Sequence, residues 1–182
     1  MGELVEDPVF RQRYRFERTA DVLRIEFWVD PEGGVTPHVH PHMQERFEVL
    51  SGNPSFLAGR KWKPARPGDV VTVPPGVRHA YRNPGVEVAH VICEARPPSL
   101  LQDFLEDVAA LSRAGKLTRR GLPKPSGLLQ GAVLAHHYRE MVVLAFPPMP
   151  PRFIQRLLFP PLARLGRRRG YEPGSLARPA SA

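Results

Sequence analysis

Four side chains in the first half of the sequence can bind one metal ion. His38 and His40 are one residue apart, and side chains of an extended strand alternate between its faces, so both imidazoles point to the same side. Glu45 has the opposite parity, so the chain must bulge or bend before it, and Pro41 is a residue that interrupts a strand ladder. With His79 downstream, the set favours zinc, copper, nickel, iron or manganese over calcium or magnesium.

The segments that must position these ligands alternate apolar and polar residues with the period of a half-buried strand. Turns rich in Gly and Pro separate them, such as the turn at 30–34. No helical period occurs before residue 98, so the first half is predicted to be an antiparallel sandwich or barrel. The predicted strands are 22–29, 46–50, 55–58, 61–63, 70–73, 77–82 and 86–95, with a weaker one at 13–18.

Two groups of residues, spanning about 32–83, resemble the two sequence motifs of the cupin superfamily. The first reads His38-x-His40, four residues, Glu45, six residues, Gly52. The second reads Gly68, five residues, Pro74-x-Gly76, two residues, His79, three residues, Asn83. The leading Gly of the first motif falls at Glu32, and Gly33 and Gly34 are expected to take over its turn role.

This resemblance implies a mainly β fold, a double-stranded β-helix (jelly-roll) barrel at residues 1–97. It also implies one divalent transition metal ion (Fe, Mn, Ni, Zn or Cu) in the mouth of the barrel, held by His38, His40, Glu45 and His79. Four ligands would leave about two positions of an octahedron for substrate, or for substrate and dioxygen. Cupin barrels commonly pair edge to edge, so a homodimer is expected.

Other residues of the barrel are weaker candidates. Tyr81 shares the parity of His79, so its hydroxyl is a candidate for orienting a substrate, the alternative being ordinary packing. His42 is expected at the rim or behind the ligands, with ligation as the lesser alternative. His90 either lines the pocket or is a satisfied sheet histidine, and Cys93 is predicted to be an inert buried thiol. Core or interface roles are expected for Phe27, Trp28 and Phe47.

The second half changes character at residue 98 and is predicted to be a helical C-terminal extension, 98–170, with a flexible tail at 171–182. Ser99 followed by Gln102 is typical of a capping box, and apolar residues recur at helical spacing up to Gly115. A second helix is predicted at 126–146. Because charged residues lie at its centre, it is expected to be a packed helix and not a membrane span, with His136 and His137 structural.

A third apolar stripe lies within residues 151–169, among arginines, and Pro160 and Pro161 are expected to break or kink it. The stripe is expected to pack on the earlier helices or on a partner subunit, with peripheral contact to an anionic membrane as the alternative. Nucleic-acid binding is not expected, because no aromatic residues interleave with the arginines.

Composition limits the class of protein. The chain has 182 residues, 42% of them hydrophobic, and a single Cys that excludes an internal disulfide. The net charge of +8 lies wholly in residues 98–182, where 13 basic residues face 5 acidic ones. The acidic N-terminus lacks an apolar run, so no signal peptide is predicted and a cytoplasmic location is expected.

Three functions fit these observations. The first is a metal-dependent enzyme acting on a small organic molecule, with dioxygenase chemistry ahead of isomerase or lyase chemistry. The second is a non-catalytic module that binds or senses a small molecule through the same ion. The third is a protein that docks on a membrane or partner through its basic C-terminal helices. Fold alone does not choose among them, since one fold hosts many functions.

Overall fold

The computed structural model describes residues 3–145 and 151–175, with the backbone alone at Arg152. Two antiparallel sheets make up the barrel. The six-stranded sheet has the order β1, β2, β3, β10, β5, β8, formed by Val5–Asp7, Gln12–Arg18, Leu23–Val29, Ala89–Arg96, Gln44–Ser51 and Val70–Val73. The five-stranded sheet has the order β11, β4, β9, β6, β7, formed by Val143–Leu144, His38–Val39, His79–Arg82, Ser55–Ala58 and Lys61–Pro64.

The strands follow from the alternation in the sequence. In β3 every second residue from Leu23 to Val29 is buried, whereas Arg24 and Glu26 lie on the outer face. β10 shows the same pattern from Ala89 to Ala95. The prediction of a mainly β jelly-roll barrel followed by helices is confirmed; the short β1 had not been expected.

Residues of the two sequence motifs hold tight turns between the strands. Asn83 is buried and donates through Nδ2 to the carbonyl oxygens of Val29 and Glu87 at 2.9 and 2.6 Å. Glu32 adopts a left-handed φ of 64°, so it keeps a backbone conformation that suits the family's glycine although it carries a side chain. Gly34 also has a positive φ of 150°, so Glu32 shares the turn with the glycines that were expected to form it.

Three helices follow the barrel. α1 spans Leu101–Arg113, close to its predicted bounds. The expected capping box is absent: the residue before the helix is Leu100, which makes no side-chain cap. Ser99 instead has a positive φ of 46°, and its carbonyl oxygen accepts a hydrogen bond from Arg18 Nη2 at 2.8 Å. The predicted capping box therefore does not form, and Ser99 contacts β2 instead.

The second predicted helix, 126–146, is much shorter in the structure. A 3-10 turn at Pro125–Gly127 leads into α2, Leu128–His137. The chain then turns and forms β11, which pairs with β4. The prediction is wrong beyond Tyr138, because the free edge of β4 offers hydrogen bonds to the β-branched segment that follows; Phe146 lies outside the described residues.

α3 spans Arg152–Arg168 and contains both Pro160 and Pro161. The expected break is wrong, because the helix continues through both prolines; the kink, which was the alternative, stays a prediction. Two small residues C-terminal to the prolines allow close packing on α2. Ala163 is fully buried, and a side chain at Gly166 would lie 2.6 Å from Val133 Cγ2.

The expectation that the stripe of α3 packs on the earlier helices holds for only part of it. Phe153 and Leu157 are 72% and 73% exposed, and Leu158 and Leu165 are also exposed. Contact of this exposed face with a partner subunit or a membrane stays a prediction. So does the division into a barrel, an extension and a tail, and residues 176–182 of the tail lie outside the described part. No helix of the described residues is long and apolar enough to cross a membrane.

Candidate metal centre and ligand cavity

The four predicted ligands meet at the mouth of the barrel. His38 lies on β4 opposite His79, the first residue of β9, and His40 follows β4 directly. Glu45 comes from β5 in the other sheet, so the residues around Pro41 carry the chain from one sheet to the other. The predicted interruption is thus present, and it corrects the parity of Glu45.

The ligand atoms of these four residues all lie within 4.8 Å of one another. Glu45 Oε2 is 2.6 Å from His79 Nε2, and Glu45 Oε1 is 3.7 Å from His40 Nε2. Glu45 Oε2 and His79 Nε2 are buried, yet neither has a hydrogen-bond partner of good geometry within the described residues. Buried polar atoms are normally satisfied, so these atoms fit the ligands of a metal ion.

Backbone carbonyl oxygens orient all three imidazoles in the same way. The Nδ1 atoms of His38, His40 and His79 each lie 2.9 Å from a carbonyl oxygen, those of Thr36, Met141 and Val77 respectively. A carbonyl oxygen only accepts, so each Nδ1 carries the proton and donates it. Each Nε2 is then left with its lone pair, as a neutral metal ligand requires.

Burial and neighbouring charges set the protonation of the ligands. Burial, with help from the other two histidines, lowers the pKa of His38 to about 3. Burial alone would raise the pKa of Glu45, but His40 and His79 outweigh it and lower the pKa to about 2. Burial also disfavours the charged form of His79, yet the Glu45 carboxylate raises its pKa overall. At neutral pH the site therefore offers a carboxylate, the charged form that metals bind.

A cavity of about 270 Å³ extends from this site into the barrel and under the helices. One side is formed by α1, whose residues at helical spacing face the barrel: Leu101, Phe104, Leu105, Val108 and Leu111. Leu134 of α2 and Leu162 of α3 complete the cover. The helical extension thus forms walls of the cavity that the metal site faces, a role that its amphipathic pattern alone does not predict.

The structure also shows where the weaker candidates lie relative to the cavity and the metal site. Tyr81 lines the cavity, and its hydroxyl donates to Gln12 Oε1 at 2.7 Å; a role in orienting substrate stays a prediction. Cys93 is buried with Sγ 3.9 Å from Glu45 Oε1, and burial raises its pKa well above the ordinary value. His42 is exposed and outside the cluster, so the ligation alternative is wrong.

His90 lies on the outer face of the six-stranded sheet and not in the cavity. It stacks on Trp28 with ring centroids 4.7 Å apart, and its Nε2 is 2.9 Å from Glu26 Oε1. The sheet-histidine interpretation holds, and Trp28 belongs to this outer surface. Phe27 and Phe47 are buried core residues, as expected, and both also line the cavity.

Sequence reasoning missed three contributors to the site: Asp7 and Gln12, which line the cavity, and the Met141 carbonyl that holds His40. Gln12 occupies an inward position of β2, and its parity with Tyr14 was the available signal. No residue type predicts the Met141 contact, because a backbone oxygen makes it across 101 positions of sequence.

Residues 26–93 match the family model for the cupin domain. Among solved structures, a protein with a double-stranded β-helix domain from Klebsiella pneumoniae is 25% identical, with 47% of this chain and 72% of that chain covered and a TM-score of 0.45. An RmlC-like cupin from Shewanella frigidimarina is 22% identical, with 54% and 86% covered and a TM-score of 0.48.

A third solved structure, a predicted oxalate decarboxylase from Thermotoga maritima, is 20% identical, with 47% of this chain and 80% of that chain covered and a TM-score of 0.45. The search of curated proteins found no match. The matched segment contains all four clustered residues and both sequence motifs. Residues 26–93 thus match the cupin domain in sequence, and the barrel that contains them is a two-sheet jelly roll.

Proposed function

We propose that this protein is a metal-dependent enzyme that acts on a small organic molecule held in the cavity. One observation carries the proposal: three of the four clustered residues, His38, His40 and Glu45, line a cavity of ligand size, and His79 lies beside them. Concave, largely apolar sites with few polar groups are typical of small-molecule binding. A metal bound there supplies Lewis acidity or, for iron or manganese, redox chemistry with dioxygen.

Oxygenase chemistry fits the lining better than isomerase or lyase chemistry. Proton-transfer reactions need a positioned base or acid close to the substrate. Apart from Glu45, the only carboxylate that lines the cavity in the described part of the chain is Asp7. Asp7 already accepts from the Phe10 N–H at 3.2 Å and interacts with Ser112. The polypeptide therefore offers little acid or base of its own.

Nitric oxide, a surrogate for dioxygen, tests this proposal. We expect nitric oxide added without air to the Fe(II)-loaded protein to give a new iron-nitrosyl absorption, and His79→Ala protein treated alike to give none. His42→Ala is the matched control, because His42 is exposed and outside the cluster. An unchanged spectrum of the loaded wild type would exclude the oxygenase. Ligand binding without oxygen uptake would support the sensing module instead.

A further inference from the structure

The cavity is walled mostly by hydrocarbon. Aromatic and aliphatic side chains from both sheets and all three helices line it, among them Phe27, Phe47, Phe104, Val108, Leu134 and Phe159. Apolar walls stabilise a ligand in proportion to the apolar area it buries. They also penalise each polar group of a ligand that finds no partner there.

Charge restricts the ligand further. The charged side chains that line the cavity in the described residues are both acidic, Asp7 and Glu45, and neither Lys nor Arg is among them. Recognition of a phosphate or carboxylate commonly uses Arg or Lys. A sugar phosphate, or a sugar with many hydroxyl groups, would therefore leave polar groups unpaired along most of the cavity.

Gln12 provides one unused polar contact away from the metal ligands. Its side chain is 2% exposed and lines the cavity. Its Oε1 accepts from the Tyr81 hydroxyl at 2.7 Å, which fixes the amide, whereas its Nε2 has no hydrogen-bond partner of good geometry within the described chain. The nearby Tyr14 hydroxyl interacts with the Gln12 side chain, but not in a hydrogen bond of good geometry.

A buried N–H donor without a partner destabilises the protein, and a bound ligand can satisfy it. Tyr81 Oη is already engaged as a donor, and Asp7 is engaged by Phe10 and Ser112. Gln12 Nε2 is thus the donor in this part of the cavity that is open to a ligand. It selects for a hydrogen-bond acceptor, such as a carbonyl or ether oxygen.

We propose that the natural ligand is an uncharged, mostly hydrocarbon or aromatic molecule with a metal-chelating group at one end and, away from it, a hydrogen-bond acceptor for Gln12 Nε2. This inference rests on the proposed function, because the chelating end is held by the metal centre. It names a substrate class for that site, and it makes Gln12 a specificity-determining residue.

Three probes with one chelating group test the class: 4-isopropylcatechol, 3,4-dihydroxyacetophenone and 3,4-dihydroxybenzenesulfonate. The isopropyl and acetyl groups have nearly the same shape, but only acetyl carries an acceptor, and the sulfonate carries a charge. Binding is measured by calorimetry on Zn²⁺-loaded protein, which does no redox chemistry. We expect the acetyl probe to bind at least about 10-fold more tightly than the sulfonate, because the far end offers no cation.

Gln12→Leu separates the acceptor contact from general effects of the acetyl group on chelation. In the wild type the ratio of acetyl to isopropyl affinity should exceed that in Gln12→Leu by about 3- to 10-fold, the range for one neutral hydrogen bond. Isopropyl affinity should stay within about 2-fold and so report an intact cavity. If Gln12→Leu does not fold, Gln12→Met, with a flexible side chain of similar length, replaces it.

An equal ratio in wild type and variant, or a sulfonate that binds as well as the acetyl probe, overturns the ligand class. Failure of all three probes to bind does the same. The nitric oxide experiment distinguishes these failures from a failure of the proposed function. If the loaded iron binds nitric oxide, the metal centre stands and only the ligand class falls; if it does not, the oxygenase proposal falls as well.

Discussion

The three clustered histidines share one constraint, a backbone carbonyl on Nδ1. A carbonyl oxygen cannot donate, so it selects one tautomer and one ring orientation, and it does so before any ion arrives. Side-chain partners on Nδ1 would have been visible in the sequence, whereas carbonyl partners are not. The residue types at 38, 40, 45 and 79 were therefore predictable, and the means by which His40 is held was not.

Cys93 gives a prediction at the same scale. The protein has one Cys, it is buried, and burial raises the pKa of its thiol well above the ordinary value. Only the thiolate reacts readily, so a raised pKa means that little reactive form exists even at pH 8. We expect a disulfide-exchange reagent to detect no thiol in the native protein and one thiol per chain after denaturation. Rapid reaction of the native protein would show that Cys93 is accessible and not inert.

Among the elements, the strands were predicted more closely than the helices. Strand alternation is enforced residue by residue because one face of each strand is buried, and segments such as 55–58 and 70–73 match their predicted bounds. Helix ends depend on tertiary partners. The second helix is shorter than predicted because the residues after it pair with the free edge of β4. α3 continues past Pro160 and Pro161, where it packs on α2.

α3 has two faces, and substitutions on them should differ. Gly166 faces α2, where an added Cβ would meet Val133 Cγ2 at 2.6 Å and the Leu129 carbonyl oxygen at 2.9 Å. We expect Gly166→Ala to destabilise the protein by about 1–3 kcal/mol, the usual cost of overpacking. The exposed face carries Leu157, where Leu157→Asp should change the stability of a monomer by less than about 0.5 kcal/mol.

Thermal melts of both variants, with sedimentation to give the oligomeric state, check this pair. A large loss of stability in Leu157→Asp, or dissociation of a dimer, would show that the exposed face of α3 is covered by a partner subunit. Wild-type stability in Gly166→Ala would contradict the close packing of α3 on α2.

At the scale of the whole molecule, the C-terminal extension contributes to the metal site. The Met141 carbonyl oxygen accepts from His40 Nδ1. β11 pairs with β4, which carries His38, and Gln155 of α3 donates to the Leu144 carbonyl oxygen at 3.1 Å. The C-terminal extension is therefore linked to the ligands through hydrogen bonds to backbone carbonyl oxygens and through the pairing of β11 with β4.

Truncation tests this dependence. A chain that ends at residue 140 lacks the Met141 carbonyl and β11, and we expect its Zn²⁺ affinity to fall about 10- to 100-fold, as for other lost supporting contacts. A chain that ends at residue 175 keeps these elements and serves as the control. Ala145→Pro, which removes the N–H donated to the Pro37 carbonyl, perturbs the same strand in the full chain. Unchanged affinity in a folded 1–140 chain and in Ala145→Pro would show that the barrel holds the ion unaided.

Elemental analysis of protein purified without an affinity tag tests the central claim, that His38, His40, Glu45 and His79 hold one transition-metal ion. We predict close to one ion per chain in the wild type and in His42→Ala, because His42 is exposed and outside the cluster. His79→Ala should lose most of the ion yet stay folded by circular dichroism, because the packed strands and not the ion close the core. Equal metal content in wild type and His79→Ala would contradict the assignment of the site.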